Sequence, residues 1–107
     1  MDDNTVDSGI IAYQQKEYEI AIALLETADR NDWRGQLYLG MSYYLLGKID
    51  EAQRVFFRIK GDCPDKDLRE KAEAAFAAVR AKLRDDAERE REAERARQRA
   101  EAEEVQW

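Results

Sequence analysis

The feature that most constrains the fold of this chain is a pattern that recurs after 31 residues. Gly9, Tyr18, Ala21, Leu25 and Ala28 return as Gly40, Ile49, Ala52, Phe56 and Ile59. In the first four of these pairs a small residue recurs as a small one or a bulky residue as a bulky one. A fixed period of this length indicates that each copy is one supersecondary unit, which buries its apolar face by stacking on its neighbour. The pattern therefore predicts a scaffold that holds a partner, rather than a catalyst.

The composition predicts an all-α fold. Ala, Leu, Glu, Lys and Arg dominate, Val and Thr are scarce, and the apolar residues recur at helical spacing. Nearly all large apolar side chains lie in residues 1–84, so we expect the one folded domain there. Residues 85–107 are expected to form a charged helical extension.

Each copy of the repeat predicts an antiparallel helical hairpin, the first over residues 5–31 and the second over residues 33–62. Asn4 or Thr5 can cap the first helix, and Asp32 can cap the third. The predicted helices run from Thr5 to Lys16, Tyr18 to Arg30, Trp33 to Leu46 and Asp50 to Lys60. The two hairpins are expected to stack as a short α-solenoid.

The third segment contains no Gly or Pro after Pro64 and reads as one continuous helix. Residues 65–84 carry an apolar stripe that can cap the second hairpin: Leu68, Ala72, Phe76, Val79 and Leu83. After Leu83 a heptad register places charged residues on the seam, apart from a weak alanine seam, so we interpret this half as a solvated helix.

The second hairpin resembles a tetratricopeptide repeat. The matching residues, in order and spacing, are Leu39, Gly40, Tyr43, Gly47, Ile49, Ala52, Phe56, Ile59 and Pro64. Gln36 departs from the pattern, because the family usually has Trp there. The first hairpin is similar but has Ser8 and Ala12 in place of Leu and Tyr, and its period is shorter than that of the family.

The resemblance implies that the first helix of each hairpin lines a concave binding surface. The expected contact residues are Val6, Ile10, Tyr13, Leu37, Met41, Tyr44 and Leu45, with Phe76 from the capping helix. This surface is apolar and aromatic, which suits a helical or extended peptide. Only Arg34 and Arg69 lie near it, so a clamp for a C-terminal carboxylate is disfavoured. The alternative is that some of these side chains pack within the hairpins.

Two functions follow as hypotheses. The first is a non-catalytic adaptor that binds a protein or peptide partner in this groove. The alternative is a homo-oligomerisation module that uses the groove, the long helix or Trp107, because two repeats are fewer than an independent array usually needs. Trp107 is either an anchor that docks on another chain or simply a frayed end.

Composition argues against other classes of function. The net charge of −6 disfavours nucleic-acid binding. The chain has no His and one cysteine, Cys63, which we interpret as a loop thiol, so we expect no metal, cofactor or small-molecule substrate. The acidic start lacks an apolar leader and no apolar run reaches bilayer length, which favours a cytoplasmic protein without membrane insertion.

Overall fold

The computed structural model describes residues 3–105, and this part of the chain is all-α with no strand. The prediction of fold class is confirmed. Five helices follow one another: α1 (Asp3–Gln14), α2 (Tyr18–Glu26), α3 (Trp33–Leu45), α4 (Ile49–Asp62) and α5 (Lys66–Val105).

The helices stack in the manner of a short solenoid. Each helix packs on the next one in the chain, and the odd-numbered helices α1, α3 and α5 also contact one another in order. The first hairpin, α1 and α2, therefore stacks on the second, α3 and α4, and α5 caps the second. Together they bury two apolar clusters, one around α1 and α2 and the other between α3, α4 and α5.

The recurring pattern marks the closest approach of the two helices in each hairpin. A Cβ atom added to Gly9 would lie 2.6 Å from the side chain of Leu25, and one added to Gly40 would lie 2.6 Å from the ring of Phe56. Both bulky side chains are buried. The small residue on the first helix therefore makes room for the bulky residue on the second.

The same period relates the two hairpin turns. Lys16 and Gly47 lie 31 residues apart and both have positive φ, 64° and 82°. In each turn this residue donates its N–H to the carbonyl three residues back, and the next residue donates to the carbonyl five residues back. These are two Schellman motifs, and the first has Lys where such a motif favours Gly.

Helix ends differ from the prediction by two residues or more in α1, α2 and α4. Helix α1 spans Asp3–Gln14 rather than Thr5–Lys16, so Asn4 and Thr5 lie inside the helix and do not cap it, and Lys16 lies in the turn with positive φ. Helix α2 ends at Glu26, not Arg30, because the Thr27 hydroxyl donates to the carbonyl of Leu24 and begins a turn. Helix α4 continues to Asp62, past the predicted end at Lys60. It stops where Cys63 becomes extended, the conformation that the following proline favours.

The prediction of a loop thiol at the surface is wrong for Cys63. Its side chain is only 3% exposed and belongs to the buried cluster between α3, α4 and α5. The extended backbone after α4 turns the side chain inward, and the Sγ atom lies 3.7 Å from the carbonyl oxygen of Asp65. Cys63 therefore contributes to the core.

The long helix α5 has two chemically different halves. In the first half Ala72 and Val79 are buried against the second hairpin, and Leu68, Phe76 and Leu83 are partly buried. From residue 87 to residue 104 every side chain is exposed. The described part of the molecule consequently extends 71 Å in its longest direction.

Candidate functional site

Three of the predicted contact residues lie in the core. Val6, Ile10 and Leu37 are buried, whereas the sequence reasoning placed them on an open groove. Val6 and Ile10 are covered because α1 packs directly on α3; the Val6 side chain lies 3.3 Å from where a Cβ of Gly35 would be. Leu37 belongs instead to the cluster between α3, α4 and α5. All three side chains are therefore used in packing between helices.

Tyr13 also belongs to the packing between hairpins. Its ring centroid lies 5.6 Å from that of Tyr18 and 5.2 Å from that of Tyr38. Burial raises the pKa of the Tyr13 phenol, and the two neighbouring tyrosines raise it further. Tyr13 is therefore separated from the remaining predicted residues, which lie near the second cluster.

The predicted residues at the end of α3 flank one side of α5. Met41 and Tyr44 are half-buried against the second cluster, while Leu45 keeps 48% of its surface exposed. An open cleft of about 360 Å³ lies between Tyr44 and α5. On α5 it is lined by small and charged residues: Ala78, Ala81, Lys82, Asp85, Asp86 and Arg89. This cleft offers a single aromatic ring among charges of both signs.

Phe76 lies away from this cleft, on the flank of α5 that faces α4. Its ring packs against Phe57 of α4 with 5.8 Å between centroids and 50° between planes. Phe57 is 63% exposed, the largest exposure among the exposed large apolar side chains of the described residues. The structure thus does not bring Phe76 together with Tyr44 and Leu45 in one groove.

Phe57 is not among the contact residues predicted from the sequence, although the sequence indicates that its side chain is exposed. Phe56 and Phe57 are adjacent on one helix, and adjacent helical residues point about 100° apart. Since Phe56 matches the buried position of the repeat, Phe57 has to leave the core. An aromatic residue beside a core position was therefore the clue to a surface site.

Basic side chains surround the two phenylalanines. Lys60 Nζ lies 5.2 Å from the Phe76 ring centroid, and Arg80 Cζ lies 5.8 Å from the same centroid. An open groove of about 420 Å³ lies beside these two rings and is here named the α4–α5 groove. Its lining residues are Asp50, Gln53, Arg54, Phe57, Phe76 and Arg80.

The charge of the α4–α5 groove is opposite to that of the chain. Arg54 and Arg80 bring two cations to the lining of the groove, against the single carboxylate of Asp50, and Lys60 adds a third cation beside the Phe76 ring. The chain as a whole carries a net charge of −6. An apolar aromatic centre with basic residues at its edge is suited to bind an acidic amphipathic segment.

A separate cluster around Arg58 ties α4 to α3 and to the turn before it. Arg58 donates hydrogen bonds to the Arg30 carbonyl at 2.8 Å and to Gln36 Oε1 at 3.3 Å, and its guanidinium lies 4.7 Å from the Trp33 ring centroid. These contacts tie α4 to the turn before α3. Their role is structural, since every partner is used within the fold.

Residues 3–105 contain no group of three or more Cys, Asp or Glu side chains that could hold a metal ion. The pKa of Tyr43 is raised to about 12, first by burial and then by the hydrogen bond that its hydroxyl donates to Glu26.

None of the five helices within residues 3–105 has the length and apolar character needed to cross a membrane. Trp107 lies outside the described residues.

Comparisons with known proteins assign no family to this arrangement. No family model matches the chain, and neither the curated proteins nor the solved structures give a match. Function is therefore inferred from the contacts and charges of the chain itself.

Proposed function

We propose that this chain is a non-catalytic adaptor of the tetratricopeptide type, which binds an acidic amphipathic helix of another protein in the α4–α5 groove. The observation that carries the proposal is the pairing of Phe57, 63% exposed, with Phe76, surrounded by Arg54, Lys60 and Arg80. Aromatic and arginine side chains are the residues that most often dominate the free energy of binding at protein interfaces.

The apolar part of the groove supplies affinity. Burying a whole Phe side chain contributes about 1.5–3 kcal/mol, and Phe57 still has more than half of its surface to bury. Apolar residues at i, i+3 or i+4, and i+7 of a partner helix would lie along the two rings. A helix is favoured over an extended strand because the groove runs between two helices and every helix here is packed by another helix.

The stack itself supports a helix at this position. Tyr43 of α3 packs against both core clusters, and its hydroxyl donates to Glu26 of α2, so it is covered by helices on two sides. Phe76 of α5 packs against the second cluster and against Phe57 of α4, and it remains partly exposed. A partner helix in the groove would take the place that the next helix of a longer array occupies.

The basic residues supply selectivity for acidic partners. Arg54 and Arg80 present guanidinium groups that can donate paired hydrogen bonds to a carboxylate. Asp or Glu residues that flank the apolar positions of the partner would meet these groups, whereas Lys or Arg there would be repelled. Raising the salt concentration should weaken such binding.

Selection from a displayed library of random helix-forming peptides tests the proposal. We expect the enriched peptides to combine apolar residues at helical spacing with an excess of Asp and Glu. Phe57→Ser should lower their affinity at least tenfold, or about 1.4 kcal/mol. Ile20→Ser is the matched control, because Ile20 is similarly exposed at 52% on a different helix.

Leu45→Ser separates this groove from the predicted concave surface. If Leu45→Ser removed binding and Phe57→Ser left it intact, the partner would bind at the exposed end of α3, and the proposal for the α4–α5 groove would be overturned. Enriched peptides without an acidic excess would contradict the assigned role of Arg54 and Arg80.

A further inference from the structure

The second half of α5 carries a strip of residues whose charges are complementary to those of a second copy that runs in the opposite direction. The strip is spaced by three and four residues, so it follows one face of the helix. It consists of Arg84, Ala87, Arg91, Glu94, Gln98 and Glu101, here named the tail strip, and all six are exposed. The first half of this set is basic and the second half is acidic.

In two antiparallel copies of the tail strip, every charged residue of one copy lies opposite a residue of opposite charge in the other. With the centre between residues 92 and 93, Arg84 of one copy lies opposite Glu101 of the other, and Arg91 lies opposite Glu94. Ala87 lies opposite Gln98. Each of these pairs occurs twice by the two-fold symmetry, and no two like charges face each other.

The residues that flank the tail strip follow the same rule. In an antiparallel helix pair, flanking positions of the same type meet across the seam. Glu88 would then meet Arg95 of the other copy, and Glu90 would meet Arg97. A parallel pair would instead place each residue beside its own copy, which sets Arg84 against Arg84 and Glu101 against Glu101. The charges therefore select the antiparallel arrangement.

The ion pairs that form within α5 do not involve every charged residue of the tail strip. Arg91 pairs with Glu88 at 3.3 Å, and Arg97 pairs with Glu94. Within residues 3–105, Arg84 and Glu101 form no ion pair with another described residue. Their charges are the ones that the antiparallel arrangement brings together at both of its ends.

We propose that residues 84–101 of two copies of this chain pair antiparallel through the tail strip and form a two-fold symmetric, salt-sensitive dimer. The seam is almost entirely polar, so attraction between charges, rather than apolar burial, holds the two helices together. Phe76 lies about 25 Å from the centre of the pair at 1.5 Å per residue, so the two α4–α5 grooves would stand roughly 50 Å apart. Such a dimer presents two binding sites to one bivalent partner.

Light scattering after size exclusion on the full chain, with a charge-reversal set, tests this proposal. The acidic variant is Arg84→Glu/Arg91→Glu, and the basic variant is Glu94→Arg/Glu101→Arg. We expect the wild-type chain to dimerise at about 0.5 mM in low salt and to dissociate in about 0.5 M NaCl, where charges are screened within a few ångströms. Each variant alone should stay monomeric, because both kinds of charged pair in the strip, 84 with 101 and 91 with 94, then join like charges.

Mixing the two variants should restore a dimer, since each acidic strip then faces a basic one. The fourfold variant that carries all these changes should dimerise with itself. Circular dichroism of each variant checks that α5 stays helical. A monomeric wild-type chain at low salt would overturn the proposal, and so would a mixture that stays monomeric.

Oxidative cross-linking tests the register. Ala87→Cys mixed with Gln98→Cys should form a disulfide between the two variants, while Ala87→Cys alone should not cross-link to itself. Cys63 is buried and does not compete. Cross-linking of Ala87→Cys to itself would show a parallel pair and contradict the antiparallel arrangement.

Discussion

Gly40→Ala perturbs the closest contact between the helices of the second hairpin. The added Cβ would lie 2.6, 2.9 and 3.0 Å from three carbon atoms of the Phe56 ring. Carbon atoms in contact prefer about 3.5–4.0 Å, so the ring or α3 has to move by about 1 Å. Phe56 is 1% exposed, so the ring would have to move against other core side chains.

The expected cost follows from two opposing effects. Overpacking a core by one methyl group costs about 1–3 kcal/mol, occasionally more, and three short contacts place this site at the upper end. Replacing a helical glycine by alanine returns about 1 kcal/mol of helix propensity. We therefore expect Gly40→Ala to lower the free energy of unfolding by about 2 kcal/mol and the Tm by about 8–16 °C.

Gly61→Ala is the matched control for Gly40→Ala. Gly61 lies in α4, and a Cβ there would meet nothing within 4 Å. Only the propensity effect remains, so this change should stabilise the fold by about 0.5–1 kcal/mol. Urea unfolding followed by circular dichroism measures both variants. The packing account would be refuted if Gly40→Ala were as stable as Gly61→Ala.

Four further predictions concern single features of the fold. Lys16→Gly should raise the free energy of unfolding by about 1 kcal/mol in urea titrations, since Lys16 has φ 64° in a Schellman motif, and an unchanged or lower stability would contradict this. Arg58→Ala should cost about 1–2 kcal/mol, because it removes the hydrogen bonds to Arg30 and Gln36, whereas exposed Arg54→Ala should stay within about 0.5 kcal/mol of wild type. In an ultraviolet titration one tyrosine should ionise near pH 12, and this ionisation should be absent from Tyr43→Phe. The pKa of Tyr43 is raised above 10.0 in the folded state. Its contribution to the free energy of unfolding is therefore present below pH 10 and is lost between pH 10 and about 12. A chain that ends at Arg89 should keep its Tm within about 2 °C in high salt, since residues 90–104 are exposed, and a larger loss would show that the tail supports the domain.

The sequence predicts the fold well because the residues that recur with its period are those at the closest contacts between the helices of each hairpin. Gly40 and Phe56 recur from Gly9 and Leu25 since each pair brings two helices together, so a one-dimensional pattern carries a three-dimensional contact. Helix ends are predicted less well where a single side chain decides them, as Thr27 does for α2.

The candidate site is predicted less well than the fold. Apolar periodicity identifies the residues on the inner faces of the hairpins, but it does not distinguish an open groove from a contact between hairpins. Val6 and Leu37 are buried because the odd-numbered helices pack directly together, which depends on how the copies stack. The α4–α5 groove is lined by side chains of two helices, and a one-dimensional pattern alone does not show which of them meet, so Phe57 is recognised as a site residue only once α4 and α5 are placed side by side.

Chemical-shift mapping with a peptide selected from the library tests the central claim most directly. Amide signals of the isotope-labelled chain would be followed as the peptide is added. We predict that the largest shifts lie on α4 and α5 around Phe57, Phe76 and Arg80, and that they disappear in Phe57→Ser. Shifts centred on Tyr44 and Leu45, or on α1 and α2, would contradict the account.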